Sequence, residues 1–285
     1  MRALKLSILY DVIRWEEKAL HQAALKRGME IRMIDVKDME MDSEVVGEDK
    51  YGDIILQRTV SYYRSLHSTA YLEFLGKKVV NSLKTSIITG NKFFTTLVLK
   101  KHGIPTPRTI VTVTERAALK AFDKLGGKAV LKPVIGSWGR LVALLENKIA
   151  AKAVIESREL MYPVYQIYYM QEFINRPPRD IRTFVIGDQV VAAIYRYQPE
   201  DDWRTNTSRG GRAVKCEITT ELEEISLKAA KAVGGGVLGI DIMESENGYL
   251  VHEINNTTEF RNTVPVTGID IPALIIEYLL SISKK

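Results

Sequence analysis

Apolar and polar positions along this chain repeat with two periods. Residues 4–12 (LKLSILYDV) are mostly apolar, interrupted by Lys5, Ser7 and Asp11, and read as a buried strand. Residues 16–27 then place Ala19, Leu20, Ala23 and Ala24 on one helical face, and Gly28 stops the helix. Further strands are expected at 30–36, 53–60 and 77–81, with a helix over 61–75 joining the last two. Strand and helix in alternation predict a small parallel sheet. No glycine-rich turn follows the first strand, so this part carries no dinucleotide fingerprint.

The pattern changes after residue 85. A helix over 85–102 carries Lys92 and ends in the Gly-Ile-Pro-Thr-Pro of 103–107, and a second helix covers 114–126. Residues 129–145 read as strand, glycine loop, strand. The loop residues Gly136, Ser137, Trp138, Gly139 and Arg140 would allow backbone N–H groups to approach phosphate oxygens. An ordinary hairpin loop has the same composition, and the Gly-Lys-Ser/Thr ending of a Walker A loop is absent. A strand at 164–174 runs into Pro177 and Pro178. Residues 179–197 form a hairpin about Gly187 and Asp188, and 201–212 is a polar loop. A helix covers 220–233, with Thr220 and Glu223 at capping-box spacing, and a last helix covers 272–282. Residues 234–239 match G-x-G-x-x-G, but a helix precedes them and a strand follows. That is the reverse of the order the motif needs, so they read as a helix stop and tight turn.

Two short runs, VLGIDIME and YLVHEIN, flank Ser-Glu-Asn-Gly, and Asn-Gly is a hairpin turn. Glu253 and Asn255 are two apart and share a strand face. Asp241 on the partner strand joins them across the ladder. Two carboxylates and an amide oxygen suit a hard cation such as Mg²⁺, completed by water and phosphate oxygens. A hairpin with a merely polar face has the same pattern.

Composition narrows the field. The chain has 285 residues, 46% of them hydrophobic and 26% charged, enough for two or three subdomains in a globular protein. No apolar run approaches the ~20 residues of a membrane span, and the N-terminal apolar stretch is too short for a signal peptide. One cysteine, Cys216, excludes an internal disulfide and suits the cytoplasm. Four histidines and one cysteine argue against zinc. The net charge of +5 comes without a basic stripe interleaved with aromatics, so an acidic small molecule or acidic protein is a better partner than nucleic acid.

The order of motifs is more specific than any one of them. Lys92 and Lys132 come first, beside the glycine loop. Gln171, Glu172, Phe173 and Ile174 follow, then Asp180, Arg182 and Arg196, then Asn206 and Arg209, and last Asp241, Glu253 and Asn255. In this order over nearly the whole chain, the sequence resembles the ATP-grasp carboxylate–amine ligases, in the branch of RimK-type and LysX-type enzymes. The resemblance implies an α/β (α+β) ATP-grasp fold with an N-terminal pre-ATP-grasp βαβ domain. Its parts would be an N-terminal domain (1–88), a central subdomain with the glycine loop (89–165) and a C-terminal subdomain with the metal and substrate sites (166–285). It also implies roles. ATP would be bound by Lys92, Lys132, the 136–140 loop, Gln171, Glu172, Phe173, Ile174, Asp180, Arg182 and Asn206. Asp241, Glu253 and Asn255 would hold Mg²⁺, two ions in this family. Arg196 and Arg209 would steady the transferring phosphoryl group or a substrate carboxylate. The reaction implied is formation of an acylphosphate, then its capture by an amine.

The segment after Asn255 separates the branches. RimK-type enzymes carry Ala-Ser-Pro-Gly there; this chain carries Asn256, Thr257, Thr258, Glu259, Phe260, Arg261, Asn262 and Thr263. An Asn-Thr pair and a Glu-Phe-Arg-Asn run resemble the LysX-type enzymes, whose arginine-pathway sisters carry Gly-Phe in place of the pair. The resemblance implies substrate contacts from Arg196, Thr207, Ser208, Asn256, Thr257, Glu259, Phe260, Arg261, Asn262 and Thr263. It implies α-aminoadipate and a small acidic LysW-like carrier protein ending in Glu as partners, in lysine biosynthesis, and a homo-oligomer, dimer or tetramer. The alternatives are a glutamate–carrier ligase or dual enzyme, a RimK-type protein glutamate ligase, and a non-catalytic ATP-binding module.

Overall fold

The computed structural model describes residues 5–45, 49–205 and 210–283. The first layer is β1 (Leu6–Tyr10), α1 (Trp15–Leu25), β2 (Ile31–Asp35), β3 (Ile54–Gln57), α2 (Tyr62–Phe74) and β4 (Lys78–Val80). Its strands pair in parallel in the order β2-β1-β3-β4, the sheet that the alternating pattern predicts. The residues of β1 and β3 are buried on both faces apart from half-buried Tyr10, as continuous apolar strands require.

The helix expected over 85–102 is two helices, α3 (Leu83–Thr89) and α4 (Lys92–Lys101). Gly90 lies so close to the Tyr62 ring that a Cβ there would stand 2.1 Å from it. Asn91 then starts a new helix by accepting from the Phe93 and Phe94 amides. Lys92 is therefore the first residue of α4 rather than a mid-helix residue. Beyond it come β5 (Thr109–Thr112), α5 (Glu115–Lys124), β6 (Ala129–Lys132), β7 (Ala143–Leu145), α6 (Lys148–Glu159) and β8 (Tyr168–Glu172), with sheet order β5-β8-β6-β7. α6 has no counterpart in the sequence reading.

The third sheet has order β11-β10-β9-β12-β13. It is built from β9 (Arg179–Ile186), β10 (Gln189–Tyr197), β11 (Arg212–Lys215), β12 (Val237–Ser245) and β13 (Gly248–Asn255). α7 (Thr220–Val233) precedes β12; its N-cap is Thr219, which accepts from the Leu222 amide, so Thr220 is the first helical residue and not the cap. β11 and the short α8 (Thr263–Thr267) were not anticipated, and α9 (Ile271–Ile282) ends the fold. The 234–239 glycines do form the stop of α7 and the entry to β12. Gly236 is required there, because a Cβ would meet Asn81 Oδ1 at 1.9 Å. Asn81 Nδ2 donates to the carbonyls of Val237 and Asn256, and Asn81 Oδ1 accepts from the Val237 amide, which ties the first sheet to the third. Arg58 and Glu17, both buried, add a second tie: they pair at 3.0 Å, and Arg58 Nη1 donates to the Thr258 carbonyl.

Candidate active site

The three sheets enclose a cleft of about 750 Å³. It is lined by eight Lys or Arg side chains against four Asp or Glu, among the described residues. A concave site with this excess concentrates anions.

The hairpin β12–β13 supplies the acidic centre. Asp241 pairs directly with Glu253, and a bulge follows, because Ile242 pairs with Val251. The bulge leaves His252 without a cross-strand partner, so that His252, Glu253 and Asn255 all line the cleft. Asp241 is buried and ionised. Burial pushes its carboxyl up, but Arg182 and then Arg196 outweigh that and hold it below the usual range. Arg182 donates from Nε and Nη2 to Oδ1 and Oδ2 at 2.6 and 2.7 Å. Arg196 lies 3.1 Å from Oδ2 and makes a second bidentate pair with Asp180, both bonds 2.7 Å. Thr205 completes the Asp180 shell at 2.5 Å. Glu253 is likewise held ionised against its burial, with Lys92 Nζ at 3.1 Å as the main counter-charge.

Among the described residues no group of three His, Cys, Asp or Glu is placed to hold a metal ion. The candidate set is two carboxylates and one amide oxygen. Asn255 Nδ2 faces Asp241 at 3.5 Å, leaving its Oδ1 available. The donors are all oxygen, which fits Mg²⁺ bound jointly with phosphate.

Lys132, on β6, is 7% exposed and bonds Gln171 Oε1 at 2.7 Å. Burial pushes its ammonium down to about 8. His252 is also pushed down by burial. Its two ring nitrogens have no hydrogen-bond partner among the described residues, and Nε2 stands 3.8 Å from Asp180.

The 136–140 loop is fastened at three points. Lys92 Nζ donates to the Gly136 carbonyl at 2.7 Å. Arg204 Nη1 donates to the Gly139 carbonyl at 3.0 Å. Trp138 Nε1 donates to Glu259 Oε1 at 3.1 Å, and Arg140 stacks over the Trp138 ring. Trp138 takes φ 60°, an uncommon value for a side chain of its size.

The structure gathers Lys92, Lys132, the 136–140 loop, Asp180, Arg182, Arg196, Asp241, Glu253, Asn255, Asn256, Thr257 and Glu259 around one cleft. Gln171, Glu172, Phe173 and Ile174 are not among its lining residues. Gln171 is spent on Lys132, Thr109 and Tyr169. Glu172 accepts from the Arg108 amide at 2.5 Å, and Phe173 lies under Lys128. Phe260 is fully buried in the core; Arg261, Asn262 and Thr263 lead into α8, away from the lining. Asn206, Thr207, Ser208 and Arg209 lie outside the described residues. Sequence reasoning did not single out Arg14, Thr59, Ser65, Arg176, Trp203, Arg204, Met243 and His252, all of which line the cleft. For Arg14 and Thr59 a signal existed, because both follow the carboxyl ends of parallel strands.

Residues 89–279 match the family model described as RimK-like ATP-grasp domain, and residues 6–88 match the LysX preATP-grasp domain. The chain belongs to the RimK-like ATP-grasp ligases. The alpha-aminoadipate–LysW ligase LysX of Saccharolobus solfataricus is 41% identical over 95% of this chain and 99% of its own. The glutamate–LysW ligase ArgX of Sulfolobus acidocaldarius is 34% identical over 97% of this chain and 98% of its own. Among solved structures, a RimK domain ATP-grasp protein from Sphaerobacter thermophilus superposes with a TM-score of 0.79 at 22% identity, over 97% of this chain and 99% of that one. That likeness shows the fold. The RimK/LysX resemblance and the ATP-grasp fold read from the sequence therefore hold, as does the assignment to an ATP-grasp ligase.

Proposed function

We propose that this protein uses ATP to join the α-amino group of α-aminoadipate to the γ-carboxyl of the C-terminal Glu of a small acidic carrier protein, in the cytoplasm. One observation supports a dicarboxylic amino acid as the acceptor, and the choice of α-aminoadipate over glutamate draws on the 41% identity to LysX against 34% to ArgX. The wall beside the acidic centre is polar: Asn256, Thr257, Thr258 and Glu259 all line the cleft, and Thr257 Oγ1 donates to the Thr59 carbonyl. A dicarboxylic amino acid needs such a wall, since one methylene alone is worth only about 1–3 kcal/mol of discrimination.

The residues divide the work as follows. Lys92 and Lys132 hold the ATP phosphates as point charges. Arg182 and Arg196 keep Asp241 ionised and compensate charge as it moves onto the transferring group. Asp241, Glu253 and Asn255 would hold Mg²⁺, which supplies charge neutralisation and alignment of the phosphates. A carrier carboxylate oxygen attacks the γ-phosphorus and ADP leaves. The amine nitrogen then attacks the acyl carbon, the bond to phosphate breaks, and the amine gives up its proton. The fastened 136–140 loop keeps water from the acylphosphate between the two steps.

The test is ADP release. The account predicts release that requires ATP, Mg²⁺, an acidic carrier ending in Glu and α-aminoadipate together. Release that is indifferent to both acceptor substrates contradicts it. The second reading, a glutamate–carrier ligase, draws on the 34% identity to ArgX and predicts the same release with glutamate instead.

A further inference from the structure

The cleft has a polar end that the residues assigned to nucleotide and cation leave unused. Thr59 and Ser65 line it at 2% and 3% exposure, and neither hydroxyl has a hydrogen-bond partner among the described residues. Native interiors rarely leave buried hydroxyls unpaired, so each unpaired one calls for a cause. The surrounding polar groups are already engaged. Gln57 takes the Thr59 amide and donates to the Ser65 carbonyl and to Thr69. Asp11 takes the Val60 and Ser61 amides.

The topology places these hydroxyls where a ligand is expected. The order β2-β1-β3-β4 reverses direction between β1 and β3. In open parallel sheets the binding crevice lies outside the carboxyl ends of the strands at that point. Thr59 follows β3 and Arg14 follows β1. α2 also begins here, and its N-cap Ser61 makes no side-chain cap bond. The leading amides of a helix lack intrahelical acceptors and favour negative charge. Arg14 lines the same wall, with Nε and Nη2 held by Glu17 and Nη1 3.5 Å from Glu259 at the cleft, so it presents a partly compensated charge there; Arg58, next to Thr59, is already paired with Glu17. Two hydroxyl donors, a helix start and an arginine suit a carboxylate.

We propose that Thr59 and Ser65, flanked by Arg14, form the subsite for a carboxylate of the amine-bearing amino-acid substrate. This rests on the ligase reading and extends it, because it gives the N-terminal domain a share in choosing the amino acid.

The test is calorimetric binding to the full chain with a non-hydrolysable ATP analogue and Mg²⁺ present. The ligands are α-aminoadipate and the standard amino acids, and carrier binding is measured in parallel. Thr59→Val and Ser65→Ala should each raise the Kd of the bound amino acid about tenfold and leave the Kd values of nucleotide and carrier within twofold. Thr59→Ser should restore wild-type binding. An unchanged amino-acid Kd in both variants overturns the subsite, and so does a shift that falls on the carrier, which would place the carrier's terminal carboxylate there. A wild type that binds another amino acid, weakened by the same variants, overturns the α-aminoadipate assignment and keeps the subsite. A wild type that binds no amino acid overturns both.

Discussion

Arg182 closes on both oxygens of Asp241, at 2.6 and 2.7 Å. The carboxylate expected to hold a cation thus already has a planar counter-ion. A divalent cation at Asp241 must share its oxygens with that guanidinium. Arg182→Ala should therefore tighten Mn²⁺ binding in the absence of nucleotide by about tenfold, the equivalent of one charge-assisted bond removed from competition. The same change should lower kcat, because the proposed mechanism also has the arginine compensate phosphate charge. Mn²⁺ titration followed by paramagnetic resonance reads the first effect; unchanged or weaker Mn²⁺ binding would contradict it.

Trp138 carries the loop's contact to the proposed substrate wall through Glu259. Trp138→Phe keeps the ring and removes the donor. We expect more ADP released per carrier modified, at least twofold, because a loosened loop admits water to the acylphosphate. Quantifying both products in one reaction checks this. A ratio equal to that of the wild type would mean that the bond has no part in closure.

Lys132 gives a pH signature. Burial lowers its pKa to about 8, so the folded cleft releases this proton before the unfolded chain does. Between about pH 8 and the ordinary lysine range the unfolded chain binds more protons, and this group's contribution to stability rises with pH across that window. Its charge in the free cleft disappears over the same range. ATP affinity should fall as pH rises from about 7 to about 9, and Lys132→Met should be weak at both pH values with the slope reduced. Nucleotide titrations at fixed Mg²⁺ read the slope, and a flat wild-type profile would contradict the assignment.

Asn256 is held through its carbonyl by Asn81, and Thr257 through its hydroxyl by Thr59. Replacing the pair by Gly and Phe removes two of the four polar side chains of the wall. The ratio of kcat/KM for α-aminoadipate over glutamate should drop by at least tenfold, or about 1.4 kcal/mol. An unchanged ratio would move the specificity elsewhere on the wall.

Much of this was legible in the chain. The parallel sheet followed from buried runs alternating with an amphipathic helix, and the acidic centre followed from period-two spacing about Asn-Gly. The break at Gly90 was not legible, because it depends on the Tyr62 ring, 28 positions away in sequence. Short elements such as β11 and α8 carry too few residues to show a period. The bulge that turns His252 into the cleft leaves no trace in alternation. Thr59 and Ser65 look like ordinary polar residues until burial shows that their hydroxyls are unpaired.

The most direct measurement is the intact mass of an acidic carrier ending in Glu after incubation with the protein, ATP and Mg²⁺. α-Aminoadipate and glutamate are offered in separate tubes. The account predicts a gain of one aminoadipate residue and no gain with glutamate. A gain with glutamate alone, or with neither, would contradict it.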